Sequence, residues 1–126
     1  MIEERVTSLF VYGTLMPDRL RWPILAPFAQ GHRPADVDGR LYDSGNGWPV
    51  AVFGTGGVVP GVLVDLLPER LDEALPILDA VEDTATDTLR RVIVTTLDGA
   101  RAWAYHHAHA TDGFVPIARW ADQDER

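Results

Sequence analysis

Residues 7–12 form a short apolar and β-branched run that stops at Gly13. Leu9 and Val11 alternate with Phe10 and Tyr12, so both faces are apolar and the run predicts a central strand buried on two sides. Pro17, Pro23, Pro27 and Pro34 then interrupt residues 16–35, which predicts a loop holding one or two helical turns around residues 19–25. Residues 39–43, 49–53 and 61–66 are expected as three short strands of an antiparallel meander, separated by Gly-rich connections. Sustained helical periodicity is confined to residues 69–83, opened by Pro68 and interrupted by Pro76, which either kinks the helix or restarts it. Strands over 90–97 and 100–108 flank Asp98-Gly99, a pair suited to a two-residue type I′ hairpin. The pattern predicts an α+β domain over residues 1–120, with one main helix and a small mixed sheet that is strongly curved or barrel-like. The polar residues 121–126 are expected to fray.

The chain of 126 residues has the size of one domain with one core. A formal charge of −8 repels phosphate backbones and anionic lipid, so neither nucleic acid nor a membrane surface is an expected partner. There is no cysteine, which removes disulfides and thiolate chemistry. All 11 basic residues are arginine, so Schiff bases and lysine-based phosphate loops are closed as well. Met1-Ile2-Glu3-Glu4 is acidic where a secretory leader is basic, and the apolar stretch 58–64 is only seven residues long; a cytoplasmic protein is expected.

Three places could carry chemistry. On the helix, Leu71, Leu75 and Leu78 fall within roughly 60° of one another and Glu82 projects into the same stripe, while Asp72, Glu73 and Asp83 lie roughly 80° or more from it. A carboxyl buried there has its ionised form penalised, the tuning a general acid/base needs. The competing readings are that Pro76 resets the helix phase or that Glu82 faces water at a frayed end. Tyr12-Gly13-Thr14-Leu15 leaves the first strand as a turn whose N–H groups can converge on an anion, with Gly13 expected to adopt dihedrals that a larger residue resists. The alternative is an ordinary turn. His107 and His109 share a strand face with the spacing of metal ligands, but no third ligand is in view and exposed strand-end histidines, His106 included, are expected instead. The glycines at 54, 56, 57 and 61 are not a dinucleotide loop, since a strand rather than a helix follows them.

Leu9-Phe10-Val11-Tyr12-Gly13-Thr14-Leu15 resembles the opening strand and Y-G-[ST]-L loop of the gamma-glutamylcyclotransferase-like, or AIG2-like, family. Gly39-Arg40-Leu41-Tyr42-Asp43, Gly47-Trp48-Pro49-Val50, Leu78-Asp79-Ala80-Val81-Glu82, Arg90-Arg91-Val92 and Ala102-Trp103-Ala104-Tyr105 continue the likeness, and Pro116-Ile117 with Trp120 echoes it more weakly. The chain departs from the family's pattern at Asp83, where a Gly is usual, and at Leu89, where a Tyr is usual. The resemblance implies a cofactor-independent enzyme that converts a small gamma-glutamyl amide or dipeptide to 5-oxoproline and an amine. It implies Glu82 as the proton shuttle and the amides of Gly13, Thr14 and Leu15 as holders of the carboxylate or the oxyanion. Tyr12 and Tyr105 would shape the pocket, with no metal. A non-catalytic small-ligand-binding domain of the same fold is the alternative, motivated by Asp83 and Leu89. A metal-dependent hydrolase built on His107 and His109 is the third reading.

Overall fold

Strand β1 (Ser8–Val11) lies in the middle of a sheet, hydrogen-bonded on one side to the antiparallel β3 (Pro49–Leu66) and on the other to the parallel β5 (Arg101–His107). The computed structural model describes residues 5–45, 47–82 and 89–120. Among these the sheet has six strands in the order β4-β5-β1-β3-β2-β6, with β2 (Ala29–Asp43), β4 (Leu89–Thr95) and β6 (Val115–Ile117) completing it. Alternation along β1 sends Leu9 and Val11 to one face and Phe10 and Tyr12 to the other, and both faces are packed. The expected mixed α+β sheet with a central first strand is thus what the chain forms.

On one face, Leu9, Val11, Val64, Leu66 and Tyr105 pack against Leu71, Ala74, Leu75 and Leu78 of helix α2 (Leu71–Val81) and Leu25 of the short helix α1 (Trp22–Leu25). On the other face, Phe10, Tyr12, Val37, Leu41, Val59, Leu63 and Val94 fill the hollow of the curved sheet. Curvature brings Val37 of β2 to Thr96 through an isolated antiparallel bridge, and the Leu97 N–H donates to the Asp36 carbonyl at 2.8 Å. Beyond that bridge no ladder joins β4 to β2 among the described residues, so the sheet curls without closing.

The expected meander of three short strands is instead one long hairpin of β2 and β3, in which 49–53 and 61–66 are parts of the same strand. Prolines hid this. Pro34 sits opposite Val62 in β2, whose other edge pairs with β6 over Leu41–Asp43 and meets Thr96 and Leu97 at Val37 and Asp36, but has no partner at Pro34 among the described residues, so the missing N–H costs no ladder bond there. The stretch after Phe53 is an excursion within β3: the register with β2 jumps between Asp38 and Gly39 from Val58 to Phe53. Gly54 and Gly56 supply the positive φ angles of +81° and +77° that the excursion needs, and the Asp38 carboxylate accepts the N–H groups of Gly56 and Gly57.

The β4–β5 hairpin pairs as expected, from Leu89 with His107 to Thr95 with Arg101. Its turn is not type I′. Asp98 keeps a negative φ and only Gly99 is positive, at +96°; Thr96 N–H donates to the Ala100 carbonyl across Leu97, Asp98 and Gly99. Helix α2 follows a 3-10 turn at Pro68–Arg70 and runs through Pro76 without a break. Pro76 and Asp72, whose carbonyl it leaves without a helical partner, both lie on the exposed face. Residues 121–126, expected to fray, and Asp83 lie outside the described residues.

Candidate active site

Helix α2 keeps its phase past Pro76, and Glu82 follows as the C-cap, its N–H donating to the Leu78 carbonyl at 2.9 Å. The Glu82 side chain is therefore carried on the Leu71-Leu75-Leu78 side and lines a small pocket where the helix end meets the end of β1. The same pocket is lined by Tyr12, Gly13, Thr14, Leu15 and Tyr105, so the six residues that the family resemblance assigns to a site line one pocket. Burial raises the Glu82 carboxyl from its ordinary 4.5 to about 7, and the positive field of Arg21 holds it from rising further.

Residues 12–15 after β1 have no positive φ and are held by contacts. Met16 N–H donates to the Gly13 carbonyl at 3.0 Å and Arg21 N–H to the Thr14 carbonyl at 2.7 Å. None of the N–H groups of Gly13, Thr14 and Leu15 donates to an acceptor among the described residues, and the three successive residues edge the pocket. Such a run of free amides is an anion-holding concavity. Gly13 does not have the positive φ expected of it. Its requirement is steric, since a Cβ there would lie 2.6 and 2.8 Å from Cγ and Cδ of Pro49.

Two tyrosines form the inner wall. Tyr12 is buried, its ring edge-on to Phe53 at 6.0 Å, and its hydroxyl donates to the Tyr105 carbonyl at 2.6 Å. The Tyr105 hydroxyl donates to Asp79 Oδ1 at 2.9 Å, and the same oxygen accepts from Arg91 Nε at 2.9 Å, with the Arg91 guanidinium 4.6 Å over the Trp103 ring. Desolvation raises both phenols, aided at Tyr12 by the Glu82 charge and at Tyr105 by its bond to Asp79. Both remain neutral donors at any physiological pH.

Arg21, Trp48 and Pro49 also line the pocket, and Asp79 with Arg91 braces it from behind. Sequence reasoning did not single these out. Asp79 precedes Glu82 by one helical turn in the Leu78-to-Glu82 motif, which is the one signal that could have marked it.

The histidines lie apart from this pocket. His107 is 5% exposed, contrary to the expected solvent-facing position, because it packs against Phe114 with ring centroids 5.5 Å apart. Its Nε2 lies 3.2 Å from the Ala110 carbonyl, and among the described residues no cluster of three metal-ligating side chains occurs. His106 is partly buried and its Nδ1 accepts the Phe53 N–H at 3.2 Å.

A family model for gamma-glutamyl cyclotransferase, AIG2-like proteins matches residues 9–122. The chain belongs to that family. Solved structures carry the same fold. Protein ytfP of Escherichia coli is 27% identical, with 94% of this chain and 99% of that chain covered at a TM-score of 0.55. Protein c4763 of uropathogenic E. coli is 20% identical, with 91% and 90% covered at 0.66, and PH0828 of Pyrococcus horikoshii is 20% identical, with 96% and 89% covered at 0.60. No functionally curated protein matches the chain. No helix among the described residues is long and apolar enough to cross a membrane.

Proposed function

We propose that this member of the gamma-glutamyl cyclotransferase, AIG2-like family cyclises a small gamma-glutamyl amide to 5-oxoproline, with Glu82 as general acid/base. The observation that carries the reading is that one desolvated carboxyl, raised to about 7, shares a single small pocket with three backbone amides that donate to no acceptor among the described residues. In the reaction the substrate's own α-nitrogen bonds to its γ-carbonyl carbon. The bond from that carbon to the departing nitrogen then breaks, and its electron pair stays with the departing amine. Ionised Glu82 takes one proton from the α-ammonium so that the amine can attack, the ring nitrogen sheds a second as it becomes the lactam N–H, and both pass by way of Glu82 to the departing nitrogen, which leaves as an ammonium; no water, cofactor or protein nucleophile is consumed.

The amides of Gly13, Thr14 and Leu15 hold the substrate carboxylate or the developing oxyanion as neutral dipoles fixed before the reaction begins. Tyr12 and Tyr105, committed to the Tyr105 carbonyl and to Asp79, give the cavity a rigid wall. Incubation with a panel of gamma-glutamyl amines and dipeptides, followed by mass-spectrometric detection of 5-oxoproline, tests the reading. Saturable binding of panel members with no 5-oxoproline from any would assign the chain to the non-catalytic alternative.

A further inference from the structure

Residues 49–53 of β3 pair with β2 along one edge. Strand β1 pairs with β3 over residues 62–65 and ends at Val11, so no strand lies along the other edge of 49–53 among the described residues. Backbone alternation turns every second N–H of such a segment toward that side, where it needs an acceptor from outside the ladder. Two side chains supply one. The Phe53 N–H donates to His106 Nδ1 at 3.2 Å, and the Ala51 N–H, two residues back, acts as a hydrogen-bond donor on the Tyr12 hydroxyl. That hydroxyl donates in turn to the carbonyl of Tyr105, the neighbour of His106.

Tyr12 and His106 therefore stand where β1 would continue, and they tie residues 49–53 to β5. Their rings close the junction: His106 lies 6.0 Å from Phe53 with the planes 31° apart, and Phe53 meets Tyr12 edge-on at 6.0 Å. What the junction holds is the pocket wall, because Pro49 begins this segment, lines the pocket beside Trp48 and lies against Gly13 of the amide loop. Accepting an N–H commits Nδ1 to its lone pair, so the imidazole is neutral and carries its proton on Nε2. Burial, joined by the neighbouring His107 and Arg90, holds the ring below the usual histidine range and so favours that form. An all-carbon ring would fill the same space but leave the Phe53 N–H without its acceptor.

We propose that His106 is a positioning residue: standing in for a continuation of β1, it clamps residues 49–53 to β5 and through them holds Pro49 against the amide loop in the geometry that turnover uses. Its effect on turnover rests on the cyclisation reading above; the clamp itself does not.

The test sets His106→Asn against His106→Phe. Asn keeps an acceptor close to the place of Nδ1 and loses the ring, whereas Phe keeps the ring and loses the acceptor. Two quantities are read where melts show each variant folded: hydrogen exchange of the Phe53 amide by NMR, and kcat/KM for 5-oxoproline formation from a gamma-glutamyl substrate. His106→Phe is expected to speed Phe53 exchange about tenfold, the worth of one hydrogen bond, and to lower kcat/KM by a similar factor; His106→Asn is expected to stay within about threefold of wild type in both. Wild-type exchange or wild-type turnover in His106→Phe, or an Asn variant no better than Phe, overturns the inference and leaves cyclisation standing. Absence of 5-oxoproline from the wild-type protein with every panel member overturns cyclisation and the positioning role in it, while the exchange data still decide whether the clamp exists. If neither variant folds, the wild-type protein decides: a protected Phe53 amide with the imidazole proton on Nε2 supports the clamp, and an unprotected amide or a proton on Nδ1 overturns it.

Discussion

Replacing Glu82 with Gln separates the role of the carboxyl in stability from its role in turnover, because the amide keeps the shape and loses the proton. With a carboxyl that titrates at about 7 in the folded chain against an ordinary 4.5, the folded state holds a proton that the unfolded state has released. Stability is then greatest where Glu82 is neutral in both states and falls as pH rises from about 4.5 through about 7. At about 1.4 kcal/mol per unit, the ionised carboxyl costs the folded chain roughly 3 kcal/mol at pH 8 and less than about 1 kcal/mol at pH 5. Gln carries no such pH dependence. The variant should therefore gain about 2 kcal/mol more over wild type at pH 8 than at pH 5, or roughly 6–10 °C in melting temperature for a chain of this size. Turnover should fall by about 10²- to 10⁴-fold, the range of a positioned acid/base. Thermal melts at the two pH values and steady-state 5-oxoproline formation read the two effects independently. A melting difference that does not change with pH refutes the burial argument, and a Gln variant with wild-type turnover refutes the proton shuttle.

The wild-type kcat/KM should rise with pH through about 7 as free Glu82 ionises; a profile flat from pH 5.5 to 8 would deny that an ionised Glu82 acts as base. Gly13→Ala should cost about 1–3 kcal/mol and most of the turnover, because its Cβ meets the Pro49 ring, and Pro49→Ala in the same chain should recover much of the stability as read by denaturant midpoint. Asp79→Ala should cost about 1–3 kcal/mol by leaving Arg91 and the Tyr105 hydroxyl without their shared acceptor; pairing it with Tyr105→Phe in a double-mutant cycle should give less than the sum of the two losses.

The parts legible in the sequence were those where one residue's neighbours along the chain determine its surroundings. Alternation placed β1 between two packed faces, and the helical period placed Glu82 beside Leu71, Leu75 and Leu78. What escaped depends on contacts between distant segments. Pro34 reads as a strand breaker until β2 is seen to have no partner beside it among the described residues, and the glycines at 54, 56 and 57 read as a connection until Asp38 is seen to hold the excursion. Gly13 was singled out for the wrong cause, because its constraint comes from Pro49, 36 positions away. Asp79 and Arg91 meet across a gap that no periodicity spans, and Arg21 and Trp48 acquire meaning only from a pocket whose walls come from both ends of the chain.

The pairing of β1 with β5 has a consequence for how the molecule is made. Leu9 lies beside Trp103 in the only parallel pair of the sheet among the described strands, and the Tyr12 hydroxyl reaches a carbonyl 93 residues further along. During synthesis the β2–β3 hairpin and its pairing with β1 are available early, while the remaining edge of β1, apolar on both faces, has no partner until β5 emerges. A chain stopped short of Arg101 would display that edge as a template for intermolecular pairing and would lack the inner wall of the pocket. Activity should therefore appear last among the observables of refolding, after most of the sheet's spectroscopic signal, with the rate set by closure of the longest loop in the fold.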